Sequence, residues 1–182
     1  MPSLLPSRYY RESNDPHGLE PQPPVRPAGP IGVLVVNLGT PDEPSAPAIR
    51  RYLAQFLSDP RVIEIPQWIW RFILHGIILR TRPRKLVPRY RGIWLEQGSP
   101  LVVYSQAQAD GLEARLQSAG ADVRVKLAMR YGNPSIPAGI DALRKQGCER
   151  ILIAPLYPQY AASTTATVVD AVSGYAARLR NQ

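Results

Sequence analysis

The stretch YPQYAASTT, Tyr157 to Thr165, sets two tyrosines and three hydroxyl residues directly after an apolar run and ahead of an expected helix. Free backbone N–H groups and the helix dipole make such a start favourable for an anion. Arg130-Tyr131 ends a second apolar run, and its place at a strand terminus points it into the same crevice. Between residues 80 and 91 stand Arg80, Arg82, Arg84, Lys85, Arg89 and Arg91, with no acid among them. Groups of these types hold carboxylates or phosphates by charge-assisted hydrogen bonds.

Other chemistries find little to work with. There are two histidines: His17 lies in a proline-rich segment, and His75 lies in an apolar run with no carboxylate three or four residues away. The single cysteine, Cys148, excludes a disulfide framework and an all-cysteine metal site within one chain. No G-x-G-x-x-G, P-loop, G-x-S-x-G or H-E-x-x-H pattern is present. The basic run reads either as a solvated surface or as a contact for an anionic partner. Nucleic acid fits poorly, because the cations sit in one short stretch without a recognisable nucleic-acid module.

These residues must be positioned by elements legible in the pattern. IGVLVVNLG (Ile31 to Gly39) is apolar on both faces, as a buried parallel strand is. Ser45 caps a helix carrying Ile49, Tyr52, Leu53, Phe56 and Leu57, which Pro60 ends. Ser99-Pro100 opens a helix with Leu101, Tyr104, Leu112 and Leu116, closed near Gly120. A second strand covers Val123 to Tyr131. Asn133-Pro134 is expected to cap the helix with Ile136, Ile140 and Leu143, which ends at Gly147. A third strand spans Arg150 to Tyr157, and Ser163 is expected to cap a last helix. The order β-α-β-α-β-α, with an extra helical region between 62 and 92, predicts an α/β fold: a parallel sheet flanked by helices, with ligands at the carboxyl ends of the strands. IPQWIWRFILHGIIL (Ile65 to Leu79) is too short to span a bilayer. It is either a core helix or an amphipathic lip at a membrane interface.

The chain has 182 residues, a net charge of +8, 45% apolar and 20% charged residues, which suits one globular domain. Eight of its 20 prolines fall in residues 1–30, where three arginines balance three acids. That zone predicts a disordered proline-rich arm, with the folded domain over 31–182. It contains no apolar core of the kind a secretory signal needs.

In this order and spacing, GVLVVNLGTP (Gly32 to Pro41), YRGIWLEQGSPL (Tyr90 to Leu101), AMRYGNP (Ala128 to Pro134) and APLYPQYAASTT (Ala154 to Thr165) resemble ferrochelatase. The resemblance covers everything after the arm. It implies a Rossmann-like, chelatase-type N-terminal domain of a two-domain fold, and a lyase that inserts Fe²⁺ into protoporphyrin IX to form haem. It also implies a catalytic His and Glu beyond Gln182. The chain on its own is therefore expected to be truncated and inactive, and no catalytic residue is assigned within it.

The resemblance further implies a porphyrin-facing wall. Leu38 lies near the macrocycle, Arg82 and Lys85 near the cleft mouth, and Tyr90 and Ser99 in the polar pocket. Arg130 and Tyr131 orient the ring, and Tyr157, Ser163 and Thr164 form the loop after the third strand. Some ferrochelatases hold a 2Fe–2S cluster with a Cys just before S-T-T; Ala162 stands there in this chain, so no cofactor ligand is expected. The Trp-rich segment matches the family's hydrophobic lip. That implies a cytoplasmic location, peripheral at the inner face of the membrane, with porphyrin and Fe²⁺ as substrates and no nucleic-acid partner. Two other readings stand beside it: a non-catalytic porphyrin or haem carrier, and a basic membrane-peripheral module.

Overall fold

A computed structural model of the chain describes residues 29–179. The arm expected over 1–30 lies, but for Gly29 and Pro30, outside the described residues. Within them the elements run β1 (Ile31–Gly39), α1 (Ala46–Leu57), α2 (Gln67–Ile73), a π-helical turn (Leu74–Ile78), α3 (Leu79–Ile93), α4 (Pro100–Ser118), β2 (Val123–Tyr131), α5 (Ile136–Lys145), β3 (Arg150–Pro155), a second π-helical turn (Ala162–Ala166) and α6 (Thr167–Ala176). The sheet is parallel, as the alternating pattern predicts, and its strands lie in the order β2-β1-β3.

β1 is the central strand, which explains why its sequence is apolar on both faces from Val33 to Val36. Its alternate residues enter different cores, since side chains on a strand point to opposite faces. Leu34 and Val36 pack with Ile136, Ile140 and Leu143 of α5 and with Val168 of α6. Val33 and Val35 pack with Val125, Leu127 and Met129 of β2 and with Ala109 of α4. A third cluster lies beyond the carboxyl end of the sheet. There Ile49, Tyr52 and Leu53 of α1 meet Trp70, Leu74, Leu79 and Tyr131.

Several local expectations are corrected. The cap of α5 is Ser135, whose Oγ accepts from Ala138 N at 3.4 Å, and not Asn133. The serine-then-proline device sits at Ser135-Ile136-Pro137. Asn133 precedes a cis proline and donates from Nδ2 to Asp42 Oδ1 at 2.9 Å. β3 stops at Pro155, short of the expected Tyr157, although Leu156 N still donates to Val36 O of β1 at 2.8 Å. Ser163 is not a cap. The turn after β3 starts at Ala161 and is closed by Thr164, whose Oγ1 accepts from Ala161 N at 2.9 Å. The apolar stripe expected on α4 is not its packed face: Ser105 and Ala109 are buried, while Tyr104 is exposed. Small residues there let the helix approach the sheet closely.

The apolar segment Ile65–Leu79 divides between its two readings. Trp70 and Leu74 face inward, and Trp70 Nε1 donates to Leu57 O at 2.6 Å. Trp68, Phe72 and Ile77 are 69%, 76% and 61% exposed, so a second stripe of the same segment faces outward. Among the described residues no helix is long and apolar enough to cross a membrane.

Candidate functional site

The site is built where β1 ends. Gly39 has φ +110°, and a Cβ there would lie 1.7 Å from Tyr131 O, so only glycine fits the turn out of the sheet. Asn37, two residues earlier, accepts from Leu38 N at 2.8 Å through its Oδ1 and donates from Nδ2 to Ser105 Oγ on α4 at 2.9 Å. The Ser99 side chain does not bond to the helix start that it precedes. Its Oγ donates to Thr40 Oγ1 at 3.1 Å, tying the start of α4 to the end of β1.

These ties frame a cleft of about 560 Å³ between α1, α3, α4 and the end of β1. Leu38, Tyr52, Tyr90, Ile93, Leu101 and Tyr104 supply its apolar and aromatic surface; Thr40, Ser99, Ser105 and Gln108 supply hydroxyl and amide groups. Of the residues singled out in the sequence, the cleft brings together Leu38, Tyr90 and Ser99. Arg82 and Lys85 lie elsewhere on α3, lining a separate hollow with Leu86 and Arg89. Ser163 is exposed and its side chain makes no hydrogen bond among the described residues, whereas Thr164 is engaged in its own turn.

Arg130 and Tyr131 do not line this cleft; they lie behind it, in a buried network. Arg130 donates from Nε to Thr167 O at 2.7 Å and from an Nη to Asp59 Oδ2 at 2.6 Å. Its guanidinium also stacks over the Tyr131 ring at 4.4 Å. The Tyr131 hydroxyl donates to the same Asp59 Oδ2 at 2.8 Å, and Phe56 meets the Tyr131 ring edge-on at 5.1 Å. Asp59 is thus the organising anion of the region. The sequence shows only its neighbour Pro60, a helix stop; its pairing with a residue 71 positions away leaves no local pattern. Tyr52, which the spacing marks as a core residue, is also a cleft wall.

The tyrosines here are held neutral. Burial, and then the neighbouring Tyr90, Tyr157 and Tyr131, push the Tyr52 phenol far above the ordinary range. Tyr131 is raised as strongly, by burial first and by its bond to Asp59 second, against the opposing charge of Arg130. Burial also raises Tyr90 and Tyr157. A folded-state phenol pKa above the unfolded value of about 10 favours folding while the phenol is neutral, and that contribution fades as pH rises past it. The urea midpoint should therefore be flat between about pH 7 and 9 and fall above about pH 10. A midpoint that holds or rises on the alkaline side would contradict this.

The Tyr157 hydroxyl is buried with no hydrogen-bond partner among the described residues. Deleting it removes a desolvated group and no bond. Tyr157→Phe should leave stability unchanged or raise it by up to about 1 kcal/mol, whereas Tyr131→Phe should cost about 1.5–3 kcal/mol through its lost bond to a carboxylate. Denaturant melts of the two variants check the contrast. Among the described residues no group of three or more His, Cys, Asp and Glu gathers within metal-binding reach.

A family model described as Ferrochelatase matches residues 30–182. A protein named ferrochelatase from Bordetella pertussis is 62% identical over 179 residues, covering 98% of this chain and 49% of its own length. One of the same name from Methylibium petroleiphilum is 56% identical over 162 residues, 88% of this chain and 45% of its own length. "Ferrochelatase 1" of Shewanella oneidensis is 53% identical over 156 residues, 85% of this chain and 47% of its own length. The chain spans about half the length of the curated relatives it matches.

Proposed function

The chain belongs to the ferrochelatase family, and on that premise we propose that it forms one wall of the porphyrin cleft of an enzyme that inserts Fe²⁺ into protoporphyrin IX. The observation that carries this reading is the cleft at the end of β1, in which an aliphatic and aromatic surface (Leu38, Tyr52, Tyr90, Ile93) adjoins a row of hydroxyls. A tetrapyrrole has the matching chemistry: flat apolar faces and two carboxylates.

In this reading Leu38 and Tyr90 contact the ring faces. Because Tyr90 and Tyr52 keep their protons at neutral pH, their hydroxyls serve as donors to the porphyrin's acceptor groups. Arg82 and Lys85 attract the propionates toward the mouth without lining the cleft itself. Arg130 and Tyr131 act from behind, holding the Phe56 and Tyr52 rings in place. Tyr157, Ser163 and Thr164 belong to the loop that closes this end of the sheet. Metal insertion also needs a base to take the pyrrole protons. The reading assigns that task, as well as delivery of Fe²⁺, to residues outside this chain, and it assigns no iron–sulfur ligand within it. The exposed Trp68, Phe72 and Ile77 suit a peripheral contact with the cytoplasmic face of a membrane.

Titration of protoporphyrin IX with the 182-residue chain, followed by porphyrin fluorescence and absorbance, tests the wall directly. Saturable binding is expected, and Leu38→Ala and Tyr90→Ala should each weaken it about tenfold, the equivalent of about 1.4 kcal/mol. Absence of saturable binding, or variants that bind like the parent, would remove the basis of the proposal.

A further inference from the structure

The hollow between the start of α1 and the start of α3 lies outside the cleft and has a composition of its own. Its volume is about 500 Å³, and Arg50, Arg80 and Arg84 line it over a floor of Pro47, Leu79 and Pro83. Arg80 and Arg84 are four residues apart and so share one face of α3. Arg50 comes from α1, the helix packed against it. None of the three has an ion-pair partner among the described residues. The acids that precede α1 are already engaged: Asp42 with Arg51 and Asn133, and Glu43 with the Ser45 hydroxyl.

Three uncompensated guanidiniums in one hollow repel each other, and the positive end of the α1 dipole adds to that charge. An anion would relieve both. We propose that this hollow binds a phosphate group. A carboxylate offers one charge and two oxygens, fewer than three guanidinium forks can use. A phosphate offers up to two charges and at least three acceptor oxygens, and guanidinium geometry matches it in two-pronged contacts. Ile77, in the π-helical turn three residues before Arg80, is 61% exposed, so an apolar side chain on the surface closely precedes the charged ones in the chain. That arrangement would serve the phosphate of a lipid headgroup as well as a free phosphate. The proposal does not depend on the porphyrin reading.

The test uses the full 182-residue chain with two probes. The first is inorganic phosphate, titrated by calorimetry against chloride of equal ionic strength. The second is sedimentation with phosphatidylcholine vesicles, with and without phosphatidylglycerol. Arg84→Gln should weaken binding at least about tenfold, as loss of a charge-assisted bond does, and Arg50→Gln should do the same. Arg115→Gln, which lowers net charge equally from α4, should leave binding unchanged. All three arginines are exposed, so the variants keep the fold, which circular dichroism verifies. Saturable binding of inorganic phosphate with this variant pattern supports a site for free phosphate. Binding confined to phosphatidylglycerol vesicles, with the same pattern, supports a headgroup site. Binding of neither probe, or equal losses in Arg84→Gln and Arg115→Gln, overturns the proposal.

Discussion

Asp59→Ala is expected to lower folding stability by about 3–5 kcal/mol, the cost of leaving a buried charge without its partner. The Asp59 and Arg130 side chains are only 7% and 16% exposed. Asp59 Oδ2 serves two donors at once, the Arg130 guanidinium and the Tyr131 hydroxyl, and Oδ1 accepts from Arg61 N at 2.8 Å. Truncation removes this acceptor from all three donors. Arg130 keeps only its bond to Thr167 O, which carries no compensating charge. Asp59→Asn retains an acceptor for Tyr131 but not the charge, so it should fall between the parent and Asp59→Ala. Removing both ions is a different perturbation, because no charge is then stranded. Asp59→Leu with Arg130→Met should cost less than the sum of the single changes, and a double-mutant cycle from urea melts measures the coupling. A loss below about 1 kcal/mol for Asp59→Ala would mean that Arg130 is solvated and the network is not the anchor described.

Gly39→Ala should be the most damaging change at the cleft itself. The new methyl would meet Tyr131 O at 1.7 Å and Tyr131 C at 2.8 Å, both of them backbone atoms that cannot rotate away. The residue's φ of +110° adds strain that an L side chain resists. Relief requires β1 and β2 to part at their last register pair, Gly39 with Tyr131. Loss of about 4 kcal/mol or more is expected, in the range reserved for such backbone conflicts. Leu38 and Thr40 flank the glycine, so porphyrin binding should fall with stability. Gly92→Ala supplies the contrast, since a Cβ there meets nothing within 4 Å and the residue is inside α3. That change should be neutral or stabilising by up to about 1 kcal/mol. If Gly39→Ala melts like Gly92→Ala, the close approach of the two strand ends is wrong.

Where the sequence is read wrongly, the reasons are physical. Asn133 and Ser163 carry capping side chains at plausible places, yet Ser135 and Thr164 make the bonds. Several hydroxyl or amide residues stand within a few positions of each helix start, and propensity does not rank them. Ser99 was legible as a polar residue before a proline, but its bond runs to Thr40, 59 residues away. The Arg130-Tyr131 pair reads from sequence as facing a ligand, and no local pattern announces that both side chains also bond to Asp59, which follows α1. Conversely, the strand-end rule places Leu38 at the cleft, whereas Tyr90 of α3 and Ser99 ahead of α4 were expected there only through the family resemblance, and the structure brings all three together.

The amino-acid order by itself determined the alternation of strands and helices, the buried character of the Ile31–Gly39 strand and, through four motifs in register, the family. Those properties depend on periodicity and local backbone chemistry, which act over a few residues. Only the tertiary structure decided which stripe of the Trp-rich segment faces outward, that Arg82 and Lys85 open onto their own hollow, and that Asp59 holds Arg130 and Tyr131 in place. Each of these depends on residues far apart in the chain, brought together by packing whose geometry no short pattern encodes.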